Sequence, residues 1–160
     1  EKYEKGSSLV FVNPDLIDLN TDNLLYQIKD VVNKLGAKRL VLDSVSSFES
    51  ATLNEAKVRE FLIQLRDFLK SKKVTTLITY LSEKTLFSAT SEQLLGTGPS
   101  SELRLSSITD GIILLRYVER KQTVSKLLNI LKMRGSEHSK NVWNIKIGKS
   151  GLQIEQVFKR

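Results

Sequence analysis

The chain has 160 residues, of which 40% are hydrophobic and 27% charged, and a chain of this length buries roughly two-thirds of its unfolded surface on folding, enough for a core. It contains no cysteine, which excludes disulfides, thiolate metal sites and cysteine nucleophiles, and no apolar run approaches the roughly 18–20 residues that span a bilayer, so we expect a cytoplasmic protein without a membrane partner. The 25 Lys and Arg residues outnumber the 18 Asp and Glu residues, for a net charge of +7, which favours contact with polyanions such as nucleic acid or nucleotide phosphates.

The chain begins with a predicted strand followed by a predicted helix. The run Ser8–Val12 is rich in apolar and β-branched residues and is followed by Asn-Pro, which predicts a strand. Apolar residues then recur every three or four positions up to Leu35, and Thr21 or Asp22 is a suitable N-cap. We therefore predict a helix that Gly36 closes.

Two further strands and a long helix follow. The short apolar segment Leu40–Asp43 predicts a buried strand, and the periodic segment Asn54–Leu69 predicts a helix with one apolar stripe. Val74–Thr79 is β-branched and predicts the next strand. Alternation of strand and helix is typical of parallel βαβ units.

The second half of the chain has a different character. Leu81–Thr109 is rich in Ser, Thr and Gly, which predicts a long loop of the kind that is either functional or mobile, with room for a short helix around Ser101–Ser107. Antiparallel strands are predicted over Gly111–Val118, Val124–Met133, Val142–Ile147 and Leu152–Phe158. The predicted fold class is α/β, with a mostly parallel sheet flanked by helices and extended by C-terminal antiparallel strands.

The motif RLVLDS at Arg39–Ser44 is the most distinctive local feature. A hydrophobic strand that ends in Asp43 places a carboxylate at the carboxyl edge of a parallel sheet, where open α/β folds bind ligands. In nucleotide hydrolases such a carboxylate holds Mg²⁺ against the phosphates, and Ser44 lies beside it to support the metal. Many strands of this kind end in Asp only to cap the next turn, so the motif alone leaves both interpretations open.

No P-loop of the pattern GxxxxGK[ST] and no GxGxxG occurs in the sequence. Gly148, Lys149 and Ser150 match the last three P-loop positions, but Trp143 stands where the first glycine is required. The triplet joins two predicted strands and opens no helix, so we predict a turn here.

The bend KMRGSEHSK at Lys132–Lys140 brings cations and small donors together. Lys132 and Arg134 lie two residues apart near a predicted strand end, and Ser136 and His138 follow. These side chains indicate a phosphate clamp, with a solvated hairpin end as the alternative. His138 is the only histidine, which excludes a two-histidine metal site.

Three motifs occur in the order and at the spacing found in one family: RLVLDS at 39–44, ITDGIILLRYVE at 108–119 and LKMRGSEH at 131–138. Together they resemble the KaiC-like ATPases of the RecA superfamily, and the last two in combination are specific to it. The resemblance covers most of the chain. It implies a RecA-like core whose ATP, with Mg²⁺, is bound and hydrolysed between the subunits of a ring, commonly a hexamer.

The resemblance also implies roles for individual residues. Asp43 matches the Walker B aspartate that organises Mg²⁺, with Ser44 next to it. Ser106 and Ser107 match a phosphorylated Ser-Thr pair of the clock members; the second residue here is Ser, so self-phosphorylation is an open expectation. The residues that match those reaching the nucleotide of the neighbouring subunit, as an arginine finger does, are Lys132, Arg134, Ser136, His138 and Lys140.

The family's P-loop and catalytic glutamate pair lie upstream of the stretch that Ser8–Val12 matches. We therefore expect residues 1–160 to form a partial ATPase domain, from Walker B onward and without Walker A, in a full-length protein that is an ATPase. The chain alone is expected to be inactive and to bind ATP poorly, because the amides that hold the β- and γ-phosphates are absent. The alternatives are a DNA-binding recombination module of the RecA and RadA paralogue type, or a non-catalytic ring subunit without a P-loop.

Overall fold

The computed structural model describes residues 9–15, 17, 19–52, 54–81, 105–120 and 123–156. The chain divides into two compact units, the first ending at Leu81 and the second beginning at Ser82. In chain order the elements are α1 (Thr21–Leu35), β1 (Arg39–Leu42), α2 (Val45–Ala51), α3 (Glu55–Ser71), β2 (Thr75–Ile78), α4 (Leu105–Ile108), β3 (Gly111–Arg120), β4 (Thr123–Met133), β5 (Trp143–Gly148) and β6 (Gly151–Gln156).

Helix α1 is delimited by two local signals. Asn20 is its N-cap, because its side chain accepts hydrogen bonds from the amides of Asp22 and Asn23, each at 3.0 Å. The prediction of Thr21 or Asp22 as the cap is wrong, since Asn20 still has extended backbone geometry whereas Thr21 is already helical. Gly36 ends the helix as predicted, in the left-handed conformation with φ of 59°.

Among the described elements of the first unit, helix α3 contributes the largest number of buried apolar side chains. It begins after Asn54, whose side chain accepts a hydrogen bond from the amide of Lys57 at 3.2 Å, and it packs against α1 and α2. Phe48 of α2 meets the Phe61 ring edge-on, with centroids 6.0 Å apart. The predicted apolar stripe is confirmed, because five of its residues are buried: Val58, Phe61, Leu62, Leu65 and Leu69.

Strands β1 and β2 pair in parallel, as the alternation of strand and helix predicts. Val41 lies opposite Leu77, and Leu42 lies opposite Ile78. The prediction that β1 is buried is right for Leu42, at 8% exposure, and wrong for Val41, at 64%. Alternate residues of a strand point to opposite faces, and only the face that carries Leu42 is covered.

The strand predicted over Ser8–Val12 is wrong for the residues that the structure describes. Leu9, Val10, Phe11 and Val12 lie in no strand, and all four side chains are exposed. A β-branched run forms a strand only where a neighbour satisfies its backbone N–H and C=O groups. In the described part of the chain, no strand pairs with these residues.

The second unit contains a four-stranded antiparallel sheet in the order β3-β4-β5-β6. Strands β3 and β4 pair antiparallel, as predicted, with Leu115 opposite Leu128 and Tyr117 opposite Lys126. The turn predicted at Gly148–Gly151 joins β5 to β6. One face of this sheet carries exposed apolar side chains from all four strands: Ile113, Leu115, Tyr117, Val124, Ile147, Leu152 and Ile154.

The predicted fold class is confirmed, since helices accompany one parallel and one antiparallel sheet. The short helix predicted around Ser101–Ser107 is present as α4, over Leu105–Ile108. Residues 82–104 of the predicted loop, and residues 157–158 of the last predicted strand, lie outside the described residues. Within the described ranges, no helix has both the length and the hydropathy needed to cross a bilayer.

Candidate functional site

The carboxyl ends of β1 and β2 form a first cluster, which we call the carboxylate edge (Asp43, Ser44 and Thr79). Asp43 directly follows β1 and Thr79 directly follows β2, and the Thr79 hydroxyl donates a hydrogen bond to Asp43 Oδ1. The Thr79 amide donates to the carbonyl of Leu42 at 3.0 Å, and the Val45 amide donates to the carbonyl of Thr79 at 3.1 Å. Backbone hydrogen bonds therefore hold both residues at the edge where open α/β folds bind ligands.

Helix α2 brings a group of hydroxyls next to Asp43. Ser44 is its N-cap residue, and Ser44 Oγ lies 2.8 Å from Ser46 Oγ and 3.1 Å from Ser47 Oγ. The Leu81 amide donates to Ser46 Oγ at 3.4 Å, and the Asp43–Ser44 peptide bond is cis. The sequence did not predict α2, because a helix of 7 residues is too short to show a periodic apolar stripe.

The oxygen atoms at the carboxylate edge suit a hard cation. The Asp43 side chain is exposed, and the hydroxyls of Ser44 and Thr79 add neutral oxygen atoms. Among the described residues, no group of three or more His, Cys, Asp or Glu side chains is placed to hold a metal. Mg²⁺ is commonly bound through one or two carboxylates together with substrate phosphates and water, so a single carboxylate at this position fits it.

The second cluster lies in the other unit, at the end of β4, and we call it the cation bend (Lys132–His138). Arg134 and Gly135 form a turn directly after β4, and Gly135 has a φ of 74°, as the predicted tight bend requires. The Arg134 side chain is 52% exposed, and its Nη1 lies 3.6 Å from Oδ1 of Asp110. The Arg134 amide donates to the carbonyl of Asp110 at 2.8 Å.

Lys132 is directed towards its own chain. Its ammonium donates to the carbonyl of Ser106 and, at 2.9 Å, to that of Thr109. The Ser106 carbonyl lies within α4 and the Thr109 carbonyl directly follows the helix. Backbone oxygens at the C-terminal end of a helix lack helical partners and attract cations. The sequence singles out Lys132 and Ser106 but does not predict that they are in contact. It assigns no role to Thr79, or to Thr109 and Asp110, although the last two lie in the motif ITDGIILLRYVE.

The remaining predicted residues lie on α4 or in the cation bend. Ser106 and Ser107 are exposed on α4, Ser136 is exposed in the cation bend, and His138 is half-buried there. The structure brings Ser44 to Asp43 and brings Ser106 to Lys132. The carboxylate edge and the cation bend belong to different units.

Comparison with known proteins agrees with the three motifs. The family model described as the KaiC ATPase matches residues 9–157. The chain belongs to the KaiC ATPase family. The circadian clock protein KaiC3 of Synechocystis sp. is 34% identical over 140 residues, which cover 88% of this chain and 26% of that protein. The circadian clock oscillator protein KaiC of Synechococcus elongatus is 33% identical over 159 residues, which cover 99% of this chain and 29% of that protein.

A solved structure shows the same fold. The crystal structure of a KaiC-like protein from the hyperthermophilic archaeon Pyrococcus horikoshii matches this member of the family with a TM-score of 0.70 and 31% sequence identity. The match covers 96% of this chain and 62% of that one, and it confirms the RecA-type ATPase fold predicted from the motifs. The chain spans 26% and 29% of the length of the two curated relatives.

Proposed function

We propose that the protein containing this KaiC-family chain binds ATP with Mg²⁺ and hydrolyses it at the subunit interfaces of a cytoplasmic ring of six copies. The observation that carries the proposal is the position of Asp43 at the carboxyl edge of a parallel strand pair, where the Thr79 hydroxyl donates to it. Membership of a family of ATPases supports it. In this proposal residues 1–160 are the part of the ATPase domain from Walker B onward.

At the carboxylate edge, Asp43 would hold Mg²⁺ directly or through water, and Ser44 would lie beside the ion. Bound Mg²⁺ would neutralise negative charge on the β- and γ-phosphates. The hydrogen bond from Thr79 restricts the rotation of the Asp43 carboxylate. Since a group held in its working orientation loses less entropy on binding, this contact would favour Mg·ATP.

At the cation bend, Arg134 fits the role of a finger that reaches the nucleotide of a neighbouring subunit. Its ion pair with Asp110 is long, at 3.6 Å, and both side chains are about half exposed. Such pairs contribute only about 0–1 kcal/mol, so a phosphate that accepts two parallel hydrogen bonds from the guanidinium would compete successfully. Ser136 and His138 would add donors from the same bend.

Two variants of the full-length protein test the catalytic roles. Arg134→Ala is expected to lower ATP turnover by about a thousandfold or more, the magnitude of an arginine finger, and Asp43→Asn is expected to abolish Mg-dependent turnover. Arg66→Ala is the matched control, because Arg66 also pairs with a carboxylate, that of Asp67 at 2.7 Å, on the surface of α3. Unchanged turnover in Arg134→Ala, with the fold intact, would refute the role of that residue.

Mixing the two inactive variants tests whether the site is shared between subunits. In a random 1:1 ring of Asp43→Asn and Arg134→Ala subunits, about one interface in four combines an intact Asp43 with an intact Arg134. Partial recovery of turnover is therefore expected on mixing. Mixtures that stay as inactive as either variant alone would show that Arg134 does not act in trans.

Ser106 and Ser107 are the proposed acceptors for self-phosphorylation. Both side chains are exposed on α4, so a phosphate could be added without disrupting a core. Incubation with γ-labelled ATP is expected to label the wild-type protein and the control Ser71→Ala, whose serine is exposed on α3. Label that persists in a Ser106→Ala, Ser107→Ala double variant would exclude this pair.

Two alternative functions, a DNA-binding recombination module and a non-catalytic ring subunit, can each be tested separately. The net charge of +7 favours a nucleic-acid ligand, and a salt titration of single-stranded DNA binding measures it; an absence of affinity at low ionic strength would remove the recombination module. A non-catalytic ring subunit would assemble to the same size with and without ATP.

The chain by itself is expected to bind ATP poorly, which equilibrium dialysis measures.

A further inference from the structure

We propose that Lys132 is a positioning residue, which ties the C-terminal end of α4 to the end of β4 and so holds Ser106, Ser107 and Arg134 in one fixed arrangement. This inference rests on the proposed function for its catalytic consequence, since it concerns the residues assigned there to phosphate. It gives Lys132 a task within its own chain in addition to any contact with a neighbour.

The Lys132 ammonium bridges one turn of backbone. It donates to the carbonyls of Ser106 and Thr109, and the amide and hydroxyl of Thr109 donate to the carbonyl of Leu105 at 2.9 and 2.8 Å. The lysine therefore reaches α4 both within the helix and just beyond its last residue. Since α4 has only 4 residues, contacts made at its end restrain the whole helix.

Further contacts link the two residues that follow Lys132 to the chain that follows α4. The Arg134 amide donates to the carbonyl of Asp110 at 2.8 Å, and Gly111 lies opposite Met133 in the sheet. A Cβ atom on Gly111 would lie 3.1 Å from the Met133 sulfur, so the Met133 side chain lies directly against the Gly111 backbone. The end of β4 is therefore joined to α4 and the residues after it in two ways: by backbone strand pairing and by the side chain of Lys132. We call this connection the junction.

Lys132 is expected to dominate the side-chain part of this junction. Hydrogen bonds from a charged donor are about twice as strong as neutral ones, and Lys132 makes two of them. The charged contact between Arg134 and Asp110 is a solvent-exposed pair at 3.6 Å, and exposed pairs contribute little. Removing Lys132 should therefore loosen α4.

The number of N–H donors on the Lys132 ammonium links its role in holding α4 to nucleotide binding. An ammonium has three N–H donors, and two of them are used by the carbonyls of Ser106 and Thr109. Lys132 can therefore give one hydrogen bond to a phosphate while it holds α4, and a second only by releasing a carbonyl. Contact with a neighbour's nucleotide and the position of Ser106 and Ser107 would then be coupled through one side chain.

Hydrogen–deuterium exchange on the nucleotide-free, full-length protein tests the proposal without any assumption about ATP. Lys132→Met keeps an unbranched side chain and removes the donors. We expect roughly tenfold or faster exchange at the amides of Thr109 and Arg134, because two charge-assisted hydrogen bonds are lost from a local opening equilibrium. The matched control is Lys146→Met, because Lys146 is a strand lysine of the same unit that pairs with Glu155 at 2.7 Å; it should leave both amides unchanged.

A conservative variant separates positioning from a general effect on folding. Lys132→Arg retains several donors and is expected to restore most of the protection at the Thr109 and Arg134 amides. Unchanged exchange in Lys132→Met would overturn the proposal, and so would an equal rise throughout the β4–β5 pair, which would mean that the unit unfolds. An absence of ATP turnover in the wild-type protein would refute the proposed function but would leave the exchange result, and this inference, standing.

Discussion

Replacing Phe48 with alanine tests whether the packing of α2 on α3 holds the carboxylate edge in place. Phe48 is 6% exposed, and its ring meets Phe61 edge-on with the planes at 90°. Truncation of a buried Phe costs about 3–5 kcal/mol, because apolar burial is lost and a cavity remains. The edge-to-face contact accounts for roughly 0.5–1.5 kcal/mol of that cost. Since Asp43 and Ser44 lead directly into α2, Mg·ATP affinity should fall as well.

Urea unfolding followed by far-ultraviolet circular dichroism measures the loss of stability. Phe48→Leu should cost about 1 kcal/mol, since most of the apolar volume is kept and the ring contact is lost. Phe11→Ala is the matched control, with the same truncation at a side chain that is 64% exposed, and it should change the free energy of unfolding by less than about 0.5 kcal/mol. Equal effects of Phe48→Ala and Phe11→Ala would contradict the packing argument.

Two further predictions concern helix α1. Asn20→Ala should destabilise the protein by about 1 kcal/mol, since the amides of Asp22 and Asn23 lose their acceptor. Asn33→Ala, an exposed change inside the same helix, should be neutral or slightly stabilising in the same urea assay; a loss equal to that of Asn20→Ala would argue against the cap. The pKa of Lys34 is raised above its ordinary value of 10.5 because its ammonium donates to Asp30 at 2.7 Å. The pair's contribution should therefore be complete below pH 10.5 and be lost as the pH rises through the raised pKa. Thermal unfolding of wild type and Lys34→Met across this range measures it, and parallel pH profiles would contradict it.

Predictions from local patterns were mostly confirmed. The helix predicted over Asn54–Leu69 is observed as Glu55–Ser71, because a repeat of three and four residues persists over several turns. The turn at Gly148–Gly151 was also predicted from residue type alone. The errors occurred where a local pattern was ambiguous: the apolar run Leu9–Val12 forms no strand, and Asn20 caps α1 in place of its neighbours.

The residues of the candidate site also divide into those that the sequence predicted and those that it did not. Asp43 and Arg134 could be selected from sequence because each lies in a contiguous motif. Their contacts with Thr79 and Asp110 could not, since nothing in the segment of Thr79 marks it, and the motif that contains Asp110 does not indicate a contact with Arg134. The exposure of Val41 was missed for a related reason: a strand of 4 apolar and basic residues does not reveal how many of its faces are covered.

The sequence by itself determined the family, the helical stripes and the turns, because these are written in residues that are close together along the chain. The tertiary structure alone decided that Thr79 holds Asp43, 36 residues away, and that Lys132 holds the carbonyls of Ser106 and Thr109, 26 and 23 residues away. Such contacts depend on which strand ends and helix ends are brought together by packing. A hydrogen bond forms only when donor and acceptor come within about 3 Å of each other. The separation of two residues along the sequence does not predict whether folding brings them that close.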